Sequence, residues 1–318
     1  MSISAYLKEI GRGKDGARAL DRAQAADLFG QLLDGQVPDL ALGAFCIAMR
    51  VKGETPEELA GFLDAIHARL VPLPAGDVPT VVLPSYNGAR KLPVLTPLLA
   101  LSLARHGLRV LLHGQTQDPG RVTSHQVLRA VAAELPPGQL AFPDTLAQTG
   151  QTAGVYALTT AGLLPGLQRL LDARRVIGLR NPAHSLVKLL NPCAPPSLLV
   201  SSYTHPEYLH SMSALFRLTG QHALLLRGTE GEPVADARRT PQMDLFAHGR
   251  GHTVQATQAG PLTQLPTLPP GHDVAATAAY TLAVLRGQVA LPTPIALQVQ
   301  QVLAALPSHV HPTSETAT

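Results

Sequence analysis

The sequence predicts an α/β protein in which a small N-terminal all-helical domain precedes a larger α/β domain with a mostly parallel central sheet. Three observations lead there. Apolar positions recur at helical spacing, with start and stop signals, over the first 70 residues; the period changes near residue 79; short apolar runs then alternate with helix-like segments. With 318 residues, 45% of them apolar, the chain can fill one large core and a smaller one.

Asp21 and Gln24 have the spacing of a capping box, and Ala25, Leu28, Phe29 and Leu32 follow on one helical face until Gly35. A second helix is expected from about Asp39 to Val51, with Leu40, Ala44, Ile47, Ala48 and Val51 at helical spacing and Gly53 as its stop. Thr55-Pro56-Glu57-Glu58 supplies the cap, the first-turn proline and the box glutamate of a third, whose apolar face is Leu59, Phe62, Leu63 and Ile66. The stretch from Val71 to Gly76 carries two prolines and reads as a connector. Beyond it, the runs 80–83, 108–112, 198–200 and 223–226 read as strands, and 95–105, 123–133 and 206–218 as helices between them. Strands separated by helices need crossover connections, so they pair in parallel and are covered on both faces. The expected domains are therefore 1–75 and 76–307, with residues 308–318, rich in Ser, Thr, Pro and His, as a disordered tail.

No apolar run reaches the length of a membrane span, and the segment from Met1 to Lys14 is polar and charged, so neither a membrane nor a secretory route is expected and the protein is assigned to the cytoplasm. Cys46 and Cys193 have no Cys or His at metal-ligand spacing and read as reduced thiols. Net charge is only +3, but its distribution is uneven. Residues 1–78 hold 8 Lys+Arg against 11 Asp+Glu, whereas the remainder holds 17 against 11, and 15 of those 17 cations are Arg. The guanidinium fork matches pairs of phosphate oxygens, which makes the second part a candidate for phosphate recognition.

In a parallel sheet, ligands gather at loops beyond the carboxyl ends of the strands. Three loops stand out. Pro84-Ser85-Tyr86-Asn87-Gly88-Ala89-Arg90-Lys91 runs from a strand towards a helix start, where free amides and the helix dipole favour an anion. The segment from His113 to Ser124 does the same, with Thr123 and Gln126 as a capping box. A third segment carries Arg174, Arg175, Arg180 and Lys188 with no acid between Ala173 and Pro206, an accumulation of like charge that a polyanion would relieve. For any single cation in it, pairing with a distant acid is an equally good reading.

At these loops the chain resembles glycosyl transferase family 3, the anthranilate phosphoribosyltransferase family, and within it the YbiB-like branch of nucleic-acid-binding proteins. The resemblance spans nearly the whole chain, through Lys52-Gly53-Glu54-Thr55-Pro56-Glu57-Glu58-Leu59, Ser85 to Lys91, Leu112-His113-Gly114, Arg174 to Arg180 and Leu190-Asn191-Pro192. It is most specific to the branch at Pro84 to Lys91, Asp118 to Ser124 and Arg227-Gly228-Thr229-Glu230-Gly231-Glu232. It implies a fold of the nucleoside phosphorylase/phosphoribosyltransferase type. A helix from the middle of the chain would join the N-terminal domain, a cleft would separate the two domains, and the N-terminal helices would form a homodimer.

Departures from the family pattern carry the functional expectation. The enzymes bind phosphoribosyl pyrophosphate on a Gly-Thr-Gly-Gly-Asp loop, where this chain has Pro84-Ser85-Tyr86-Asn87-Gly88-Ala89; their Lys-His-Gly-Asn-Arg motif becomes Leu112-His113-Gly114-Gln115-Thr116; and Pro233-Val234 replaces the Asp-Glu pair that holds magnesium. Pro and Val offer a hard cation no side-chain oxygen, although Glu230, Glu232 and Asp236 lie close enough to suggest a displaced site. Arg174, or Arg175 one residue on, matches the family's anthranilate-binding arginine, and Thr96 matches a pyrophosphate-contacting hydroxyl. The expected function is non-sequence-specific nucleic-acid (DNA) binding, with no cofactor, metal ligand or catalytic residue. Its contacts would come from Asn87, Gly88, Arg90, Lys91, Thr96, His113, Arg121, Arg174, Arg175, Arg180 and Lys188, with Arg238 and Arg239 outlying. The alternative is a phosphoribosyltransferase using magnesium and phosphoribosyl pyrophosphate on an unidentified aromatic acceptor.

Overall fold

The N-terminal helix signals are realised at the anticipated residues in the computed structural model, which describes residues 2–13, 15–262 and 265–306. The bundle consists of α1 (Ile3–Ile10), α2 (Arg22–Leu33), α3 (Asp39–Lys52) and α4 (Pro56–His67). Asp21 accepts from the Gln24 amide at 2.8 Å while Gln24 Oε1 accepts from the Asp21 amide at 3.2 Å, closing the first box. In the second, Glu58 does more than cap. Wholly buried, it accepts from the Thr55 amide (2.9 Å), the Leu20 amide (3.0 Å) and Lys52 Nζ (2.6 Å), so one carboxylate fastens α4 to the end of α3 and to the chain entering α2. Phe29, Phe45 and Phe62 meet at the centre, with ring centroids 4.8 to 6.4 Å apart. The polar stretch at the extreme N-terminus also forms a helix, α1, which packs Tyr6 and Ile10 inward.

The second domain is built on eight strands: β1 (Thr80–Ser85), β2 (Arg109–Gly114), β3 (Leu140–Ala141), β4 (Gly154–Thr159), β5 (Ser197–Tyr203), β6 (Ala223–Arg227), β7 (Met243–Ala247) and β8 (Arg250–Gln255). They lie in the order β3-β4-β2-β1-β5-β6-β7-β8. Strands β1 to β6 pair in parallel; β7 and β8 add antiparallel as a hairpin turned by His248 and Gly249, both with positive φ. The expected mostly parallel sheet is thus present. Sequence reasoning did not single out β3, β4 or the β7–β8 hairpin, which were additions by the structure.

The apolar runs in the central strands are continuous because both faces are buried. Val82, Leu111, Leu199 and Leu225 face one core together with the bundle, α8 (Pro165–Ile177), α9 (Ala183–Leu189) and α10 (Pro206–Thr219). Val81, Val110, Leu198 and Leu224, one residue away, face the other with α5 (Thr96–Arg105), α6 (Ser124–Val131), α11 (Val274–Leu285) and α12 (Thr293–Ala305). A short helix, α7 (Thr160–Leu163), leads into α8. Helix α8 returns to α2: a Cβ at Gly166 would stand 2.2 Å from the Leu33 carbonyl, and Arg169 donates to the Leu32 carbonyl. No helix among the described residues is long and apolar enough to cross a membrane. The expected tail, 308–318, lies outside the described residues.

Candidate functional site

Parallel pairing brings the carboxyl ends of β1, β2, β4, β5 and β6 to one edge of the sheet, with Ser85 opposite Gly114 and Tyr203 opposite Arg227. The loop after β1 therefore faces the turn after β6, across more than a hundred residues of sequence. Gly88 sits in the left-handed region at φ +63, and a Cβ there would lie 2.6 Å from the Val122 carbonyl, so only glycine lets the two loops close. Ala89 and Val122 then exchange backbone hydrogen bonds of 2.9 and 2.8 Å.

The amides of this loop, which the sequence marked for phosphate, are taken by the protein's own carboxylates. Glu230 Oε1 accepts from the Lys91 and Leu92 amides at 2.8 and 2.9 Å, and the Arg90 amide lies 3.3 Å from both its oxygens. Glu230 itself has φ +51, an unusual conformation for a residue with a side chain, held by the turn Thr229–Gly231. Glu232 is wholly buried. Its Oε1 accepts from the Gly88 amide at 2.7 Å, and its Oε2 receives the hydroxyls of Ser85, Thr96 (3.0 Å) and Ser124 (3.5 Å). Burial pushes this carboxyl up from its ordinary value, against the hydrogen bonds and Lys188, which pull it down. Gly231 separates the two glutamates, and a Cβ there would meet Asn87 Nδ2 at 2.0 Å and Lys188 Nζ at 2.9 Å, which puts the ammonium over the same turn.

Cations surround this filled loop. Arg121 donates to the Gly88 carbonyl at 3.0 Å and lies 3.6 Å from Glu230. Arg180 donates to Asn87 Oδ1 at 3.3 Å; burial, followed by the charges of Arg174 and Arg121, lowers its pKa. Burial also lowers Lys188 to about 8, with Arg180 and Arg121 adding to the fall and Glu232 opposing it. Arg90 and Lys91 commit only their backbones and leave exposed side chains. Arg174 and Arg175 stand on the exposed end of α8, Arg175 being 3.4 Å from Asp172. Among the described residues, Arg90, Lys91, Arg174, Arg180 and Lys188 have no acidic partner within 4.0 Å.

Several expected contacts are placed differently. His113 is wholly buried on β2; its Nε2 is 3.1 Å from the Leu190 carbonyl, its Nδ1 has no partner, and burial lowers it to about 4, so it is neutral and offers a ligand no atom. Thr96 is equally buried, its hydroxyl given to Glu232. The Asn87 amide is shared between the Glu230 carbonyl (3.1 Å) and Arg180. Arg180 reaches the β1 loop directly through Asn87, whereas Arg174 and Arg175 lie at the exposed end of α8, Arg174 near enough to act on the charges of Tyr86 and Arg180. Arg238 is tied to Asp236 at 2.7 Å, and Arg239 to the Gln258 and Gly260 carbonyls. A displaced magnesium site does not fit these residues. Glu230 and Glu232 spend their oxygens on amides and hydroxyls beside an ammonium, and no cluster of three potential ligands occurs among the described residues.

Comparison with known proteins gives a consistent picture. Residues 4–69 match the helical bundle domain of a glycosyl transferase family. The chain is 37% identical over 310 residues to YbiB of Escherichia coli, covering 96% of this chain and 94% of that one. It is 28% identical over 278 residues to the anthranilate phosphoribosyltransferase of Synechococcus elongatus, covering 85% and 78%. Among solved structures, the anthranilate phosphoribosyltransferase of Thermus thermophilus superposes with a TM-score of 0.68 at 22% identity, over 95% of this chain and 86% of that one. The Saccharomyces cerevisiae enzyme in complex with PRPP and Mg gives 0.65 at 13%, with the same coverage. These two show the shared fold.

Proposed function

Because the chain belongs to the glycosyl transferase family that holds YbiB and the anthranilate phosphoribosyltransferases, we propose that it is a cytoplasmic homodimer that binds nucleic acid through phosphates, without sequence specificity, instead of transferring a phosphoribosyl group. The observation that carries this reading is the pairing of a filled anion loop with an unpaired cationic rim. A pyrophosphate would have to displace Glu230 and Glu232 from the amides of Gly88, Lys91 and Leu92. Phosphates arriving from outside meet Arg90, Lys91 and Arg174 with no acid to displace. Dimerisation is supported by an apolar stripe on α3, where Leu40, Ile47 and Val51 are exposed at helical spacing.

Binding that rests on such contacts releases counterions, so the logarithm of affinity falls with the logarithm of salt by roughly 0.7 to 0.9 per phosphate contacted. Neutralising Arg90, Lys91 and Arg174 together, each to Gln, is expected to reduce that slope by about 2 to 3 in an anisotropy titration. No affinity of the intact chain at low salt, or a variant with an unchanged slope, would sink the proposal.

A further inference from the structure

Where the bundle meets the sheet, a cleft of 590 Å³ opens beside the rim, within the roughly 300–1,000 Å³ typical of sites for small organic groups. Its lining is two-sided. Arg180 and Lys188 contribute cations, and the end of β5 with the start of α10 contributes Tyr203, His205 and Tyr208. The Tyr208 ring is partly exposed and 6.5 Å from that of His205, and Tyr208 is near enough to Arg180 to bear on its charge. The composition, 4% aromatic and without Trp, had given no sign of a stacking surface.

We infer that this cleft takes one unstacked nucleotide of a single strand, its base stacked on Tyr208 with the tilted His205 ring at its edge and its phosphate held by Arg180 and Lys188. This rests on the nucleic-acid reading and narrows it to strands with a free base face. Arg180 and Lys188 both line the cleft, and the charge of Arg180 bears on Lys188, a repulsion that a phosphate between them would relieve. An aromatic ring can stack on any base, which makes the contact tolerant of sequence. In a duplex both faces of each base are already stacked, so paired nucleic acid is confined to the rim. Glu54 and Glu207, also in the lining, can accept hydrogen bonds from exocyclic amino groups.

The test compares a short single-stranded oligonucleotide with its fully paired duplex at one low salt concentration, using anisotropy. Tyr208→Ala is expected to weaken the single strand by about 5- to 100-fold, the effect of losing one stacked base, while the duplex affinity and both salt slopes hold. Tyr208→Phe, which keeps the ring, should restore single-strand binding. His205→Ala, at an exposed position, gives a second variant with a loss in the same direction. Equal loss for both forms, or no loss for the single strand, overturns the inference while leaving the nucleic-acid reading standing; absence of binding by the intact chain to either form removes both.

Discussion

Replacing Glu232 by Ala removes the acceptor of four donors at once, the hydroxyls of Ser85, Thr96 and Ser124 and the amide of Gly88. All four residues are buried, so water cannot substitute without entering the core. Ser85 and Ser124 retain each other at 2.6 Å, which leaves the Thr96 hydroxyl and the Gly88 amide as the groups that lose most. At about 1–3 kcal/mol for each buried group left unsatisfied, and with Lys188 deprived of the charge opposing its repulsion from Arg180 and Arg121, a loss of about 4 kcal/mol is expected. Glu230→Ala is the informative comparison. Its amide partners belong to Arg90, Lys91 and Leu92 on the exposed part of the loop and can turn to water, so it should cost about 1 kcal/mol. Glu232→Gln should fall between them, since it keeps an acceptor but sets an amide group against hydroxyls. Urea unfolding of the three variants, with unchanged m-values, reads these differences directly. A Glu232→Ala loss below about 1 kcal/mol, or one equal to that of Glu230→Ala, would refute the description of Glu232 as the buried tie between the two loops.

Two further outcomes follow from the same geometry. Lys188, lowered to about 8, is protonated at pH 7 and largely neutral at pH 9, so single-strand affinity should fall across that interval at constant ionic strength; His184, lowered to about 3, stays neutral throughout, and Lys188→Arg should flatten the profile. A wild-type profile that is already flat would show that Lys188 does not meet the phosphate. Ile47→Asp with Val51→Asp should convert a dimer of twice 33.5 kDa to the monomer in sedimentation without unfolding it, because both side chains are exposed in the single chain; a wild type that already sediments at 33.5 kDa refutes the α3 interface.

What the sequence by itself determined was local. Asp21 with Gln24, Thr55 with Glu58 and Thr123 with Gln126 each close a capping box, because both partners lie within one turn of backbone and no distant group is needed to complete them. The parallel sheet was legible for a similar reason, since a strand followed by a helix has few ways to return. The two-residue β3 escaped notice, as did β4, although it is as long as β1, and β8, whose half-exposed pattern carries little apolar signal. The site depended on tertiary structure. Glu230 and Glu232 were visible as acids in a glycine-rich turn, but their partners in the β1 loop lie 136 to 147 residues away, and only the strand order β1-β5-β6 brings the two loops together. The same ordering buried His113 and Thr96, turned Arg180 inward, and set Tyr208 beside it. Residue identities fixed which charges were available; whether each charge met an amide, another charge or open water was decided by chain paths that no short-range pattern encodes.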